Sequence, residues 1–381
     1  MARAFDNSSV HRLPICAIDV FHVAVPLVGA GFKNAYASNT LQDSIIVRIT
    51  SQQGDVGLGN VDPLPGYSEQ TIEQSIKALR QTLVPALDGV DAGNIHSVLK
   101  AMDLAVSGFL EAKAAIEMAC IDMLSRRLGI PVHQMLGGAV IGGRVHFNAW
   151  IGIVPPDQAA SEASQWLLQG FRTAKIKLGG GIHRDRDRIK AVRDAVGPKM
   201  QLRGDANAGY SVEDSIALGR LLEPYGLQLL EQPVAAHDLA GLAKVRQSIE
   251  IPIMADEAIT DHQSLIAAIR ADCADVVKFK VMKQGGMLKC RHMMETAAAA
   301  GLKVVIGHGF GLSINTMSEI MLAATSDNVL EGLESVGPLK MQGDVVEEPL
   351  DLSQGSVALP EVAGLGMRLD EARLDRYLVK E

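Results

Sequence analysis

Two rhythms of apolar and polar positions run along this 381-residue chain, with the change between residues 130 and 145. Ile15 to Pro26 reads as a strand with Ile18, Val20, His22 and Ala24 on one face and Ala17, Asp19, Phe21 and Val23 on the other. Asp43–Ile49 and Val56–Asn60 form a hairpin around the polar turn Ser51–Asp55. Val28–Asn39 and Pro63–Ser68 read as loops, and helical segments begin at Glu69. In Gly108–Leu128, Ala112, Ala115, Ile116, Ala119, Cys120 and Met123 recur at helical spacing, and Gly129-Ile130-Pro131 ends the helix. Residues 1–130 are thus an α+β unit, strands first and helices after.

From Val145 apolar runs alternate with amphipathic helices. Strands are expected at Val145–Trp150, Thr173–Leu178, Gln201–Asp205, Leu227–Glu231, Ile253–Asp256, Val276–Phe279, Lys303–Ile306 and Leu330–Glu334. Helices such as Asp185–Val196, Val212–Glu223, Leu239–Ser248, Gln263–Ala271, Gly286–Ala300 and Ser313–Ala324 fit between them. Eight such repeats over about 200 residues are the count of a (β/α)8 barrel, here spanning 131–345. The chain is therefore α/β in class. A doubly wound open sheet shares this grammar, but its dinucleotide-binding form carries a G-x-G-x-x-G fingerprint that Gly179-Gly180-Gly181 does not continue. Residues 346–381 are too few for another domain and are expected to pack back on the first unit.

Composition narrows the function classes. A net charge of −8 without a basic tail argues against a nucleic-acid partner. Cys16, Cys120, Cys273 and Cys290 are scattered without Cys-x-x-Cys or zinc spacing, as expected of thiols in a reducing cytoplasm. Met1–Pro14 has no long apolar core, so no signal peptide is expected, and no run of about 18 apolar residues suggests a membrane span. A soluble cytoplasmic protein is the expectation.

The chemistry collects at the expected strand ends, where a barrel carries its functional side chains. Lys175 and Lys177 flank Ile176 and so share one face of their strand. In an enclosed site, desolvation and mutual repulsion both favour the neutral amine, which makes a lysine a general base. Asp205, Glu231 and Asp256 follow at intervals of 26 and 25 residues, one βα unit each. Three carboxylates converging from neighbouring strands repel one another unless a cation joins them. All-oxygen ligation of this kind suits Mg2+, with Mn2+ a second candidate.

Lys175-x-Lys177, Asp205-x-Asn207, Glu231-Gln232-Pro233, Asp256-Glu257 and a lysine on the sixth strand together resemble the enolase superfamily. More narrowly they resemble the muconate-lactonizing-enzyme subgroup of its mandelate racemase/muconate lactonizing enzyme family. Ala114-Ala115-Ile116-Glu117-Met118 through Gly137-Gly138 resembles the family's domain-joining helix. The resemblance implies a (β/α)8-type barrel under an α+β N-terminal capping domain that the C-terminal segment completes. It implies Asp205, Glu231 and Asp256 as Mg2+ ligands, Lys177 and Lys280 as the acid/base pair on opposite faces of the substrate, and Lys175 as the residue that tunes Lys177. Lys280 is preferred over Lys278 because the subgroup's base precedes a Lys-x-Gly-Gly element by three residues, here Lys283-Gln284-Gly285-Gly286. Glu334 resembles the subgroup's acidic residue on the last strand, with Glu331 competing.

Asn207 and Glu257 read as groups that orient ligands or as plain caps. His308 stands where the mandelate-racemase subgroup has a histidine base. With lysine on the sixth strand it reads instead as a substrate contact or a loop residue. Asn60 departs from the family's Gly-x-Gly-Glu. Lys33, Asn34, Tyr36 and Tyr67, on two loops closing over the barrel mouth, are the candidates for substrate choice.

The implied chemistry begins with a small carboxylate substrate held beside Mg2+, whose α-proton one lysine removes to give an enediolate. Return from the other face racemises, loss of a β-group eliminates, and the reverse of elimination cycloisomerises. The function expected is a Mg2+-dependent racemase or epimerase of an amino-acid-type or related acid. The alternatives are a muconate-like cycloisomerase or a dehydratase and, more remotely, a non-catalytic barrel that captures a small acid. Capture alone needs no base on each face. A homo-oligomer is expected.

Overall fold

The computed structural model describes residues 12–29, 32–33, 38–64 and 67–380, with backbone only at 32–33 and 38–39. Asn34, Tyr36 and the side chain of Lys33 lie outside the described residues.

The N-terminal unit is an antiparallel sheet in the order β1 (Ile15–Pro26), β4 (Leu41–Ser51), β5 (Val56–Val61); β2 (Phe32–Lys33) and β3 (Ser38–Asn39) pair apart from it. Three helices follow: α1 (Ile72–Ala78), opened by a Thr71/Gln74 capping box, α2 (Val84–Ala86) and α3 (Ile95–Ala105). α4 (Leu110–Leu128) then lies across β4 and β5 on one side and against the barrel on the other. Its expected apolar face is buried, but so are Ala114, Met118 and Ile121 opposite, because it is sandwiched between two layers. The sheet comes unusually close to it. A Cβ on Gly59 would stand 1.9 Å from the Ala115 carbonyl oxygen, so only glycine fits there.

After α5 (Val132–Met135), the expected first barrel strand divides. β6 (Arg144–His146) pairs antiparallel with β14 (Ser356–Ala358), and only β7 (Asn148–Ile151) enters the barrel. The parallel sheet continues in sequence order through β8 (Thr173–Lys177), β9 (Gln201–Asp205), β10 (Leu229–Glu231), β11 (Ile253–Ala255), β12 (Val276–Phe279) and β13 (Lys303–Ile306). Helices α6 (Pro156–Leu168), α7 (Ile182–Val196), α8 (Val212–Leu222), α9 (Leu239–Ser248), α10 (His262–Arg270), α11 (Met287–Ala299) and α12 (Ser313–Ala323) alternate with these strands.

The eighth expected strand, Leu330–Glu334, is not a regular strand. The segment bridges β13 through Val304–Val329 and the start of the barrel through Phe147–Leu333, closing the ring. Its middle is kinked by Gly332, whose φ is +88°, and a Cβ there would meet the Thr173 hydroxyl at 2.7 Å. The carbonyls turned out of the ladder are recovered by Arg203, which donates to Glu331 O at 2.6 Å and Gly332 O at 2.8 Å. The chain then returns to the N-terminal unit. α13 (Glu371–Tyr377) packs on β1, Glu371 pairs with Arg48 at 2.7 Å, and Val379 N–H donates to His22 O. Among the described residues no helix is long and apolar enough to cross a membrane.

Candidate active site

Five adjacent strands deliver the polar groups in order: lysines from β8, Asp205 at the end of β9, Glu231 at the end of β10, Asp256 just past β11, and Lys278 on β12 with Lys280 just past it. Parallel register explains the convergence. Lys177 stands opposite Asp205, and Asp205 opposite Glu231, so these side chains share the barrel-mouth face.

The ammonium groups interleave with the acids. Lys177 Nζ donates to Asp205 Oδ2 at 2.7 Å and Asn207 Oδ1 at 2.5 Å, and Lys280 Nζ donates to Asp256 Oδ1 at 2.7 Å. Lys175 Nζ lies 3.2 Å from Asp205 and 3.3 Å from Glu231. Lys278 Nζ lies 3.0 Å from Glu231 and 3.7 Å from Asp256. Beneath them sits Glu334, whose Oε2 accepts from both Lys175 and Lys278 while its Oε1 lies 3.2 Å from Arg203. Glu331, the competing acid, is 70% exposed at its side chain and faces His146 instead.

These contacts reverse one expectation. Burial alone would depress Lys175, but the carboxylates of Glu231, Glu334 and Asp205 hold its pKa well above the ordinary value. The neighbouring lysine is not the dominant influence here. Lys278 is raised in the same way, burial being outweighed by Glu231 and Glu334. Asp205 and Asp256 are held low because lysine charges outweigh their burial. Glu231, in the centre, is pushed up to about 8, first by burial and then by the charge of Asp205.

Further groups brace the strand ends. Asn207 has φ of +43°, and its Nδ2 donates to Glu257 Oε1 at 3.1 Å, so it links Lys177 to Glu257. Gln232 Oε1 accepts the N–H groups of Asp256 and Ala258, fixing the turn that presents Asp256. Lys283 donates to the Asp256 carbonyl at 2.8 Å. From the capping domain, Tyr67 faces Asp205 and Glu257, and burial followed by those charges raises its phenol. Glu111, which accepts from Ser68 at 2.7 Å, is pushed up to about 7 by burial despite Lys280 and Lys283 nearby. Asn60 is buried between the two units, donating to Ser44 Oγ at 2.7 Å and accepting from Asn315 N–H. His308 is buried at the end of β13, and half-buried Lys340 lies over the rings of Trp150 and Phe310.

The donor set fits a hard divalent cation. Asp205, Glu231 and Asp256 are all-oxygen and buried, with Lys175 shared by Asp205 and Glu231 and Lys278 shared by Glu231 and Asp256. Among the described residues no three acidic, histidine or cysteine side chains are already closed around one point, because ammonium groups stand between the acids. A divalent ion would take over the positive charge that Lys175 and Lys278 now lend.

Strand-end reasoning gave Arg203 no role, named Lys278 only as the rival of Lys280, and did not reach Lys340. Arg203 carried a usable signal, since it stands two residues before Asp205 and shares its face.

Comparison with known proteins follows the same lines. An enolase C-terminal domain-like model matches residues 158–373, and a mandelate racemase / muconate lactonizing enzyme N-terminal domain model matches residues 17–137. The L-Ala-D/L-Glu epimerase of Bacillus subtilis is 32% identical over 93% of this chain and 97% of its own length. The crystal structure of N-succinyl Arg/Lys racemase from Bacillus cereus superposes with a TM-score of 0.92 at 29% identity, covering 97% of this chain and 99% of that one. A dipeptide epimerase from Enterococcus faecalis, complexed with Mg and the dipeptide L-Leu-L-Tyr, gives 0.89 at 30% identity, covering 93% and 99%. Chloromuconate and muconate cycloisomerases are among the further relatives.

Proposed function

Because the chain belongs to the mandelate racemase/muconate lactonizing enzyme family of the enolase superfamily, we propose that this isomerase is a Mg2+-dependent racemase or epimerase of an amino-acid-type carboxylate. The observation that carries the reading is the order lysine, acid, acid, acid, lysine across five adjacent strands. Lys177 is held on Asp205 at one end and Lys280 on Asp256 at the other, each at 2.7 Å. A substrate bound at the central acids would thus meet an amine on either side.

Asp205, Glu231 and Asp256 would hold the ion, which when bound supplies positive charge beside the substrate carboxylate and lowers the cost of removing the α-proton. One of Lys177 and Lys280, as the neutral amine, accepts that proton at Nζ. The other, as ammonium, returns one from the opposite face, which inverts the centre. Asn207 Oδ1 orients Lys177. Glu334 balances the charges of Lys175, Lys278 and Arg203 so that they stay paired in a dry site. Tyr67 and Glu111 close the mouth from the capping domain and exclude water. Cycloisomerisation on the same residues is the second reading, favoured by the cycloisomerases among the relatives.

Proton NMR in D2O tests this. With Mg2+ and a panel of amino acids, N-acyl amino acids and dipeptides, wild type should exchange the α-proton of a substrate without forming a new constitutional product. Lys177→Ala and Lys280→Ala should each slow racemisation by about a thousandfold. Each should keep exchange on the stereoisomer facing the surviving lysine. Full racemisation in Lys280→Ala together with its loss in Lys278→Ala would refute the assignment.

A further inference from the structure

Asp185 stands in the first turn of α7, the helix that follows Lys177, and is fully buried. A buried charge needs partners, and this one has four. Its carboxylate accepts Gly179 N–H at 2.6 Å and Gly180 N–H at 3.2 Å, and Arg188 Nη1 donates to it at 2.5 Å. The Tyr210 hydroxyl donates to the same Oδ2 that Gly179 meets. Arg188, also buried, carries the brace back to the strand. Its Nη1 donates to Lys177 O at 3.2 Å and its Nε to Val154 O at 2.7 Å. One ion pair thus fixes the Lys177 carbonyl and the turn that leaves it.

The same carboxylate also reaches the tip of the lysine. Asn207 Oδ1 accepts from Lys177 Nζ at 2.5 Å, and Tyr210 lies three residues further along the same loop after β9. Bonds therefore close a circuit from Lys177 Nζ through Asn207 and Tyr210 to Asp185, and through Arg188 back to the Lys177 backbone. Lys280 is braced separately, on the same plan. Buried Gln284 accepts Lys280 N–H at 2.7 Å and donates to Ile259 O at 2.9 Å. Ile259 N–H in turn donates to the carbonyl of Asp256, whose carboxylate holds Lys280 Nζ. Each brace ties the loop carrying a lysine to the loop of the neighbouring strand, and the two share no residue.

We propose that Asp185, acting with Arg188 and Tyr210, is the positioning residue of Lys177 alone, and that Gln284 is its counterpart for Lys280, so that each face of the substrate carbon is served by an independently anchored amine. The proposal rests on the reading of these two lysines as the acid/base pair. Neither Asp185 nor Gln284 handles the proton; each acts through its lysine. Misplacing a reacting group by about 1 Å slows its step about a hundredfold, so loosening one brace silences one face.

The test follows α-proton loss in D2O from each stereoisomer separately, with Mg2+ and an acid that wild type racemises. Each isomer presents its proton to one lysine, and Lys177→Ala identifies which. Asp185→Asn should slow loss from the Lys177 isomer about a hundredfold and leave the other isomer within about twofold of wild type. Gln284→Met should do the reverse. Inversion needs both amines and should fall in both variants. Tyr210→Phe removes a single hydroxyl and should show the Asp185→Asn asymmetry in weaker form, which decides the matter if the asparagine variant does not fold. A brace that is merely structural would slow both isomers alike. That result, or wild-type rates from both isomers in the Asp185 and Tyr210 variants, overturns the proposal.

Crystal structures of Mg2+-supplemented wild type and Tyr210→Phe give a readout without turnover. Lys177 Nζ should leave its wild-type position in the variant while Lys280 Nζ keeps its own, and an unmoved Lys177 would overturn the proposal. The two readings also fail differently. A displaced Lys177 in a protein that exchanges no acid sinks the racemase and keeps the brace, whereas exchange by wild type with no asymmetry in the variants does the opposite.

Discussion

Glu117 on α4 offers a sharp test of how the capping unit is joined to the catalytic barrel. Its carboxylate is fully buried and accepts the backbone N–H groups of Met287 at 2.9 Å and Leu288 at 2.7 Å. These are unpaired donors at the start of α11, the helix that follows the loop carrying Lys280 and Lys283. Glu117→Ala strands two buried donors, each costing about 1–3 kcal/mol, and a loss of about 3–5 kcal/mol in urea unfolding follows. Titration sharpens the test. Burial raises the Glu117 carboxyl from 4.5 to about 7, against the pull of the two N–H donors. The folded state thus holds the proton more tightly than the unfolded chain. The stability this brings is complete below pH 4.5 and is lost as pH rises through about 7, a change of about 3 kcal/mol. Glu117→Gln cannot titrate, so the stability of wild type minus that of the variant should fall by about that amount between pH 4.5 and 8. An alanine variant within about 1 kcal/mol of wild type, or a flat difference across that range, would refute the reasoning.

Three further outcomes follow from the same geometry. Glu334→Gln removes the charge shared by Lys175, Lys278 and Arg203 and should cost about 3–5 kcal/mol in chemical unfolding, since it strands buried cations; near-neutrality would show that the other acids suffice. Gly59→Ala drives a methyl into the Ala115 carbonyl and should cost about 3 kcal/mol by the same measurement. Mg2+ should stabilise the protein by about 2.7 kcal/mol at a hundredfold excess over Kd, read as a rise in melting temperature that EDTA reverses. Asp256→Asn should abolish most of that rise, and an unchanged rise would place the ion elsewhere.

How much of this was legible in the sequence depends on the range of the interactions involved. Repeating βα units and the alternation that aligns Lys175 with Lys177 are local patterns, and the barrel class follows from them. The eighth strand failed as a regular strand because Gly332 bends the chain at a contact with Thr173, far away in sequence. That same bend decides between Glu331 and Glu334, which spacing alone left open: one carboxylate turns to solvent, the other into the lysines. The charge state of Lys175 shows the limit best. Its near neighbour Lys177 suggested a weakened ammonium, yet Glu231 and Glu334 come from other strands and dominate. Arg203 belongs to the same class, since its inward direction was readable but its partners lie some 130 residues downstream. Strand-end chemistry in such a barrel can be listed from sequence, but the sign of each perturbation depends on which acids the closed ring brings opposite. Replacing one of those distant acids should therefore change a lysine's protonation more than replacing the lysine beside it.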